Sequence, residues 1–438
     1  MSKSNHKPIL AIDFGTSNSL VGCVYNGQKQ MALPIDEHSS DATLMRTLLY
    51  FPEPDICYYG QDAIQKFLDN DLEGRLFRSF KAHLPNQGYL GTVFNNRVLT
   101  LEVLVGLFLL ELRKRAEKIL GEPVEKVVMG RPARYSMDAI ADGFALHRME
   151  KAVKYAGFKE VQFVPEPLAA AFDFRRHARG EKIILIGDFG GGTSDFTVMK
   201  IHPNQFSNQD VLSIEGCPHA GDSLDSVFMS NKLNEYFGAK TKYRLPMSSN
   251  VLSMPPAIMM RLNNPAHIVH LKDKESYEFI KEVEKCALTT KDVKNLNRLF
   301  ALIEDNQIFP FFEHIEKSKR DLSLNSSAQF SFDYPDVEIE ENFSIQQFTN
   351  WSEDIRYHIF QALDRSLLQS GLKPEQIDLV CLTGGTSKVP LIRSEFERRF
   401  GRDKLQTQTE FHSVTSGLVE VADLWAQGQT VYSVTALG

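Results

Sequence analysis

The chain has 438 residues, of which 42% are hydrophobic and 24% charged, and its 56 acidic against 49 basic side chains give a net charge of −7. That length bounds it at about two to three globular domains with buried cores, and the acidic balance argues against nucleic acid as the main partner. Met1–Pro8 is short and polar, unlike a secretory signal, and the most apolar run, Val103–Leu110, is far too short to span a bilayer, so no membrane span is expected.

In chain order, Ile9–Phe14 reads as an apolar strand with an aspartate near its end, followed by Gly15-Thr16-Ser17-Asn18-Ser19 and a returning strand, Leu20–Tyr25. Leu99–Leu120 is a helical pattern closed by Gly121. Lys126–Met129 is a short strand broken by the loop Gly130–Arg134, Asp138–Gly157 is helical, and Val161–Val164 is another strand. Pro165-Glu166-Pro167 opens a helix, Leu168–His177. Ile183–Phe189 then repeats the first design, with Gly190-Gly191-Gly192-Thr193-Ser194-Asp195 and a returning strand, Phe196–Ile201. Beyond Ala220-Gly221-Asp222 a helical segment runs to Phe237, and Ser276–Leu324 is helix-rich. Between them Thr241–Leu271, rich in Pro, Asn, Met and Ser, reads as a variable loop or insertion. The α/β pattern returns with a strand, Ile377–Leu382, then Gly384-Gly385-Thr386 and a helix through Phe400. Strands alternating with helices predict an α/β layer architecture. Five scattered cysteines (Cys23, Cys57, Cys217, Cys286, Cys381) show no metal spacing and fit a reducing cytoplasm.

The doubled strand–glycine turn–strand unit is the strongest signal. Glycine lets backbone amides approach a polyphosphate closely, and the Thr and Ser of each turn add hydroxyl donors. A strand-end aspartate would repel phosphate unless a cation stood between them, and Mg²⁺ with its retained waters is the usual bridge. Asp13 and Asp188 are therefore expected to hold a hydrated Mg²⁺, with Asp195 in support. Two such hairpins can close on one ATP or ADP from opposite sides.

Four motifs in order, Asp13–Asn18, Pro165–Ala171, Asp188–Asp195 and Gly384–Pro390, resemble the ATPase domain of the DnaK-type heat-shock protein 70 chaperones over nearly the whole chain. The resemblance implies an actin-like ATPase fold of two lobes, duplicated ribonuclease H-like domains, around a central nucleotide cleft. Lobe I is expected over 1–185 with a smaller subdomain at about 37–98, and lobe II over 186–390 with a helix-rich subdomain at about 222–324. Closing helices over 391–438 return toward lobe I. Glu316, Lys319, Arg320 and Ser323 share one helical face by their spacing. They resemble the chaperone helix that clamps adenosine.

By the same resemblance, Gly15, Thr16, Ser17, Asn18, Gly190, Gly191, Gly192, Thr193 and Asp195 belong to the phosphate loops, and Gly221, Asp222, Gly384, Gly385 and Lys388 to the rest of the nucleotide site. Lys81, in Phe77–Leu84, matches the lysine that reaches the γ-phosphate. Glu166 matches the glutamate that organises magnesium and water, and Asp188 or Asp195 is the candidate to accept a proton from water. Two departures predict weaker nucleotide binding: Lys388 stands where the family has a stacking arginine, and Asp222 replaces a glutamate. Pro165 also replaces the asparagine before Glu166. The chain ends soon after Ser416–Ala422, which resembles the ATPase domain's closing helix, so no peptide-binding domain is expected. The reading that follows is a slow Mg²⁺-dependent ATPase whose state is read by a protein partner or co-chaperone. The alternatives are an actin-like nucleotide-gated scaffold or filament, or a small-molecule kinase.

Overall fold

The computed structural model describes residues 7–94, 97–175, 180–202, 208–263, 268–407 and 412–429. The chain divides into two compact units, one of residues 1–69, 74–221 and 357–438, the other of residues 70–73 and 222–356.

The first unit contains two sheets with one strand order. In the first, Ile9–Phe14 and Asn18–Tyr25 form an antiparallel hairpin that continues to Gln28–Gln30; on the other side Ile9–Phe14 pairs in parallel with Lys126–Arg131, which pairs in parallel with Glu160–Pro165. In the second, Lys182–Phe189 and Ser194–Ile201 form the hairpin, which continues to Val211–Cys217, while Lys182–Phe189 pairs in parallel with Leu379–Thr383 and that strand with Leu405–Thr407. The fold thus carries the sequence duplication as an architectural one. Register places Asp188 opposite Asp195 and Asp13 opposite Leu20.

Side chains of Ile9–Phe14 alternate between two cores, as a strand buried on both faces requires. Leu10, Ile12 and Phe14 join Leu104, Phe108 and Met149 of the helices Leu101–Leu120 and Ala139–Tyr155. Ile9 and Ala11 join a second core with Ile184 and Ile186, built around the helices Glu166–Arg175 and Ser413–Ala426. Those two helices approach so closely that a Cβ at Gly417 would lie 1.6 Å from the carbonyl oxygen of Ala169.

Helix boundaries follow local chemistry. Thr100 caps Leu101–Leu120 by accepting from the Val103 amide, and Gly121 ends it with a φ of 71°. Asp138 likewise caps Ala139–Tyr155. The helix expected over Leu168–His177 begins earlier, at Glu166, with Pro167 in its first turn; His177 lies outside the described residues. The apolar run Val103–Leu110 is the buried part of a helix, and among the described residues no helix is long and apolar enough to cross a membrane.

The second unit is helical, with Lys274–Lys285, Thr290–Glu304 and Ile308–Leu322 and a hairpin of Ser327–Phe332 with Ile339–Ser344. Phe311 fills its centre, with ring centroids 5.2 Å from Phe237, 5.3 Å from Phe330 and 5.0 Å from Phe332. The segment expected as a loop, Thr241–Leu271, is more ordered than its periodicity suggested. Lys242–Tyr243 pairs with Leu252–Ser253, and Pro256–Leu262 is a short helix. Ile258, Met259 and Leu262 bury against their own unit, so a single helical turn of apolar spacing suffices where a longer pattern was sought. Residues 264–267 of that segment lie outside the described residues.

Candidate functional site

Both glycine turns lie in the first unit and are held by residues outside their own hairpins. Gly15 has no room for a side chain: its Cβ would lie 2.2 Å from the Asn18 carbonyl oxygen. Thr47 props this turn, donating from its hydroxyl to the Gly15 carbonyl (2.9 Å) and from its amide to the Ser17 carbonyl (2.9 Å). In the second turn the Gly190 amide donates to the Thr193 carbonyl (3.0 Å), while the Gly190 carbonyl accepts from the Gly221 amide and the Thr386 hydroxyl, each at 3.3 Å. A Cβ on Gly192 would come within 3.1 Å of Thr16 Oγ1, so the two turns stand side by side. Gly384 closes the group at a φ of 80°, where a side chain is strained and its Cβ would meet the Phe189 carbonyl at 2.1 Å.

A charged cluster lies beneath the turns. Lys81 and Glu166 are each only 7% exposed. The Lys81 ammonium donates to Glu166 Oε1 at 3.0 Å and to the Phe14 carbonyl at 2.5 Å, and stands 5.6 Å from the Phe14 ring centroid. Asp188 Oδ1 accepts from the Thr383 hydroxyl at 2.6 Å, and Asp195 Oδ1 accepts from the Ala133 amide at 2.8 Å. Burial first, then the charge of Glu166, pushes the Asp188 carboxyl up to about 6, against the pull of Thr383 and Lys81. The same two causes raise Asp13 and Asp195 well above the usual carboxylate range. Burial works against the Lys81 ammonium, yet Glu166, Tyr135 and Asp13 overcome it and raise its pKa.

Asp13, Asp188, Asp195 and Glu166 thus crowd negative charge that Lys81 offsets only in part, and all are hard oxygen donors. That excess suits a divalent cation such as Mg²⁺. Among the described residues no three His, Cys, Asp or Glu converge tightly enough to hold a metal directly.

The expected adenosine residues lie in the second unit. Glu316, Lys319 and Arg320 fall on the helix Ile308–Leu322, and Ser323 is its C-terminal cap. Arg320 pairs with Glu316 at 3.2 Å, and Ser323 donates back to the Lys319 carbonyl at 3.2 Å. The Lys319 ammonium is held at 2.8 Å by Asp225, whose carboxyl burial pushes up to about 7 against that partner. Asp222 opens the same unit, in the first turn of the helix Gly221–Asn231. Gly385 and Lys388 are the exposed ends of a 3-10 turn of the first unit after Gly384, whose middle residues Thr386 and Ser387 are buried. His219 stacks on His358 at 5.2 Å while its carbonyl accepts from Ser194, a structural arrangement.

Sequence reasoning missed Thr47, Thr383, the Ala133 amide and Asp225. Thr383 carried a faint signal, as the last residue of a strand before Gly384-Gly385. Thr47 lies in a stretch without a motif, and Ala133 matters through its backbone, which no side-chain pattern reveals.

The family model described as Hsp70 protein matches residues 76–254 and 292–434 of this chain. Similar relatives include the heat shock 70 kDa protein 13 of Bos taurus, 23% identical over 423 residues, and of Mus musculus, 23% identical over 429. That of Pongo abelii is 22% identical over 430 residues. Each alignment covers 90% of this chain and 83% of the relative.

Proposed function

Because the chain belongs to the heat-shock protein 70 family, we propose that it is a slow, Mg²⁺-dependent ATPase whose nucleotide state opens and closes two lobes for a protein partner to read. The family brings with it the actin-like ATPase fold and a nucleotide-binding, chaperone-type character. Hydrolysis, lobe motion and the partner are inferred beyond it. In this reading the moving bodies are lobe I (1–185) and lobe II (186–390), with the closing helices of 391–438 returning toward lobe I. A reducing cytoplasm suits the buried free thiols of Cys23, Cys217 and Cys381.

The observation that carries this reading is the buried Lys81–Glu166 pair set among Asp13, Asp188 and Asp195 beneath two adjoining glycine turns. Amides of Gly15, Asn18, Gly191 and Gly192, with hydroxyls of Thr16, Ser17 and Thr193, would donate to phosphate oxygens, while Gly190, its amide closed on the Thr193 carbonyl, shapes the second turn. Asp13 and Asp188 would hold Mg²⁺ through water, and the ion would supply charge neutralisation on the polyphosphate. Lys81, its pKa raised, stays cationic and offers positive charge to the transferred phosphoryl group. Asp188, at about 6, is ionised at neutral pH and able to take a proton from water, with Asp195 behind it. Within the second unit Glu316, Lys319, Arg320 and Ser323 are assigned to adenosine and Asp222 to the nucleotide more generally. Within the first, Gly221, Gly384, Gly385 and Lys388 are assigned to the nucleotide.

The test is ATP binding and turnover with and without Mg²⁺, in wild type, Lys81→Ala and Asp188→Ala. Mg²⁺-dependent turnover that Lys81→Ala abolishes while keeping nucleotide binding, without stimulation by added sugars, supports the reading. Binding without turnover in wild type would remove the hydrolytic cycle.

A further inference from the structure

Arg148, on the helix Ala139–Tyr155, is the bulkiest of the almost fully buried side chains. A guanidinium is costly to bury unless its donors find acceptors, and here both terminal nitrogens find them on one short segment. Its Nη1 donates to the carbonyl oxygens of His83 (3.2 Å), Leu84 (3.4 Å) and Asn86 (3.1 Å), and its Nη2 to that of Tyr89 (2.7 Å). Its Nε faces Glu102 Oε1 at 3.1 Å, and the guanidinium lies 4.5 Å from the Phe144 ring centroid.

That segment follows directly on the turn that carries Lys81. Phe80–His83 is a single 3-10 turn, entered through Ser79 in the left-handed region at a φ of 53° and without a side-chain cap. So short a turn does not hold itself. At its start Phe80 packs against Phe14 and Phe108, with ring centroids 6.1 and 6.0 Å away. At its end the four carbonyls meet Arg148.

We propose that Arg148 is a positioning residue for Lys81: from a rigid helix it ties down residues 83–89, and so holds the Lys81 ammonium at Glu166 and the Phe14 carbonyl. The catalytic consequence rests on the reading of Lys81 given above, whereas the positioning itself does not. Lysine at this place would keep a charge for Glu102 but could not spread its three donors over four carbonyls and an ion pair as the planar fork does.

Two measurements on the full chain test this in Arg148→Lys and Arg148→Gln. The first is native-state labelling with an amine-reactive reagent, read by mass spectrometry at Lys81 and at Lys319, the lysine held by Asp225 in the other unit. Lys81 labelling is expected to rise roughly tenfold or more, as local opening exposes it, with Lys319 unchanged. Unchanged Lys81 labelling, or an equal rise at both lysines, would overturn the proposal. The second is ATP turnover, where kcat is expected to fall about 10²-fold, the scale of a 1 Å misplacement, with KM within about twofold. If Lys81 is unmasked but wild type shows no Lys81-dependent turnover, the positioning stands and the catalytic reading of Lys81 falls. If turnover depends on Lys81 yet the Arg148 variants match wild type in both measurements, the positioning falls alone.

Discussion

Three helical glycines form a graded series that tests helix packing within the first unit. Gly143, Gly106 and Gly417 all lie inside helices, so alanine brings each the same intrinsic gain of about 1 kcal/mol in helix propensity. Their surroundings differ. A Cβ at Gly143 meets nothing within 4 Å, one at Gly106 would lie 2.6 Å from the ring of Tyr155, and one at Gly417 would lie 1.6 Å from the backbone oxygen of Ala169. The half-exposed Tyr155 can swing aside. The Ala169 backbone cannot, because it belongs to the helix Glu166–Arg175. Bringing 1.6 Å out to the 3.0 Å that real Cβ contacts respect requires these helices to part by about 1.4 Å. Such a gap forfeits much of the dispersion contact among Leu168, Ala170, Leu418 and Val421, all fully buried. Gly417→Ala should therefore destabilise the first unit by about 3 kcal/mol, the upper end of what core overpacking usually costs. Gly143→Ala should stabilise it by up to about 1 kcal/mol, and Gly106→Ala should fall between. Urea unfolding followed by far-UV circular dichroism and by tryptophan fluorescence measures all three, since Trp425 lies on the Gly417 helix. Gly417→Ala within about 0.5 kcal/mol of wild type would refute the close helix approach.

Thr383→Val removes a hydrogen bond that favours ionised Asp188. The Asp188 pKa in the nucleotide-free protein should then rise by about one unit from about 6, readable by carbon-13 titration of its carboxyl. Asp225 has a folded pKa of about 7 against 3.8 for the free group, so its proton favours the folded unit. That contribution is full below pH 3.8 and is lost as the pH rises through about 7. Wild type should lose stability relative to Asp225→Asn by up to ~4 kcal/mol between pH 4 and 8, measured by urea unfolding at each pH. MgATP at a hundred times its dissociation constant should protect the fold by about 2.7 kcal/mol, while ATP with excess chelator should protect less. Equal protection by the two would argue against the metal.

What the sequence disclosed and withheld divides along a physical line. Continuous apolar runs leading into Asp13 and Asp188 and a doubled glycine turn are local patterns, and the two matched sheets follow from them. The end of Leu101–Leu120 was legible because Gly121 alone supplies the left-handed residue there. Thr47 and the Ala133 amide act across 32 and 62 residues of chain, and no local pattern records such a contact. Spacing put Lys319 on one helical face with Glu316, and the resemblance made it a nucleotide-facing cation. Its engagement with Asp225, 94 positions away, depends on how its unit packs. Pro256–Leu262 was missed because one buried turn leaves too few residues for a period to show.

The alternation along Ile9–Phe14 sets how this protein can vary. One parity of the strand feeds one core, the other parity feeds the second, and Asp13 shares the parity of Ile9 and Ala11. A conservative swap at any of these positions disturbs one core by a methyl group or two. Removing a single residue from this strand would move the side chains on one side of the deletion to the opposite core, out of phase with the rest of the strand. Length, more than composition, is therefore the constraint on this strand: drift in its letters is tolerable, but a shift of its frame would disturb both cores in one event.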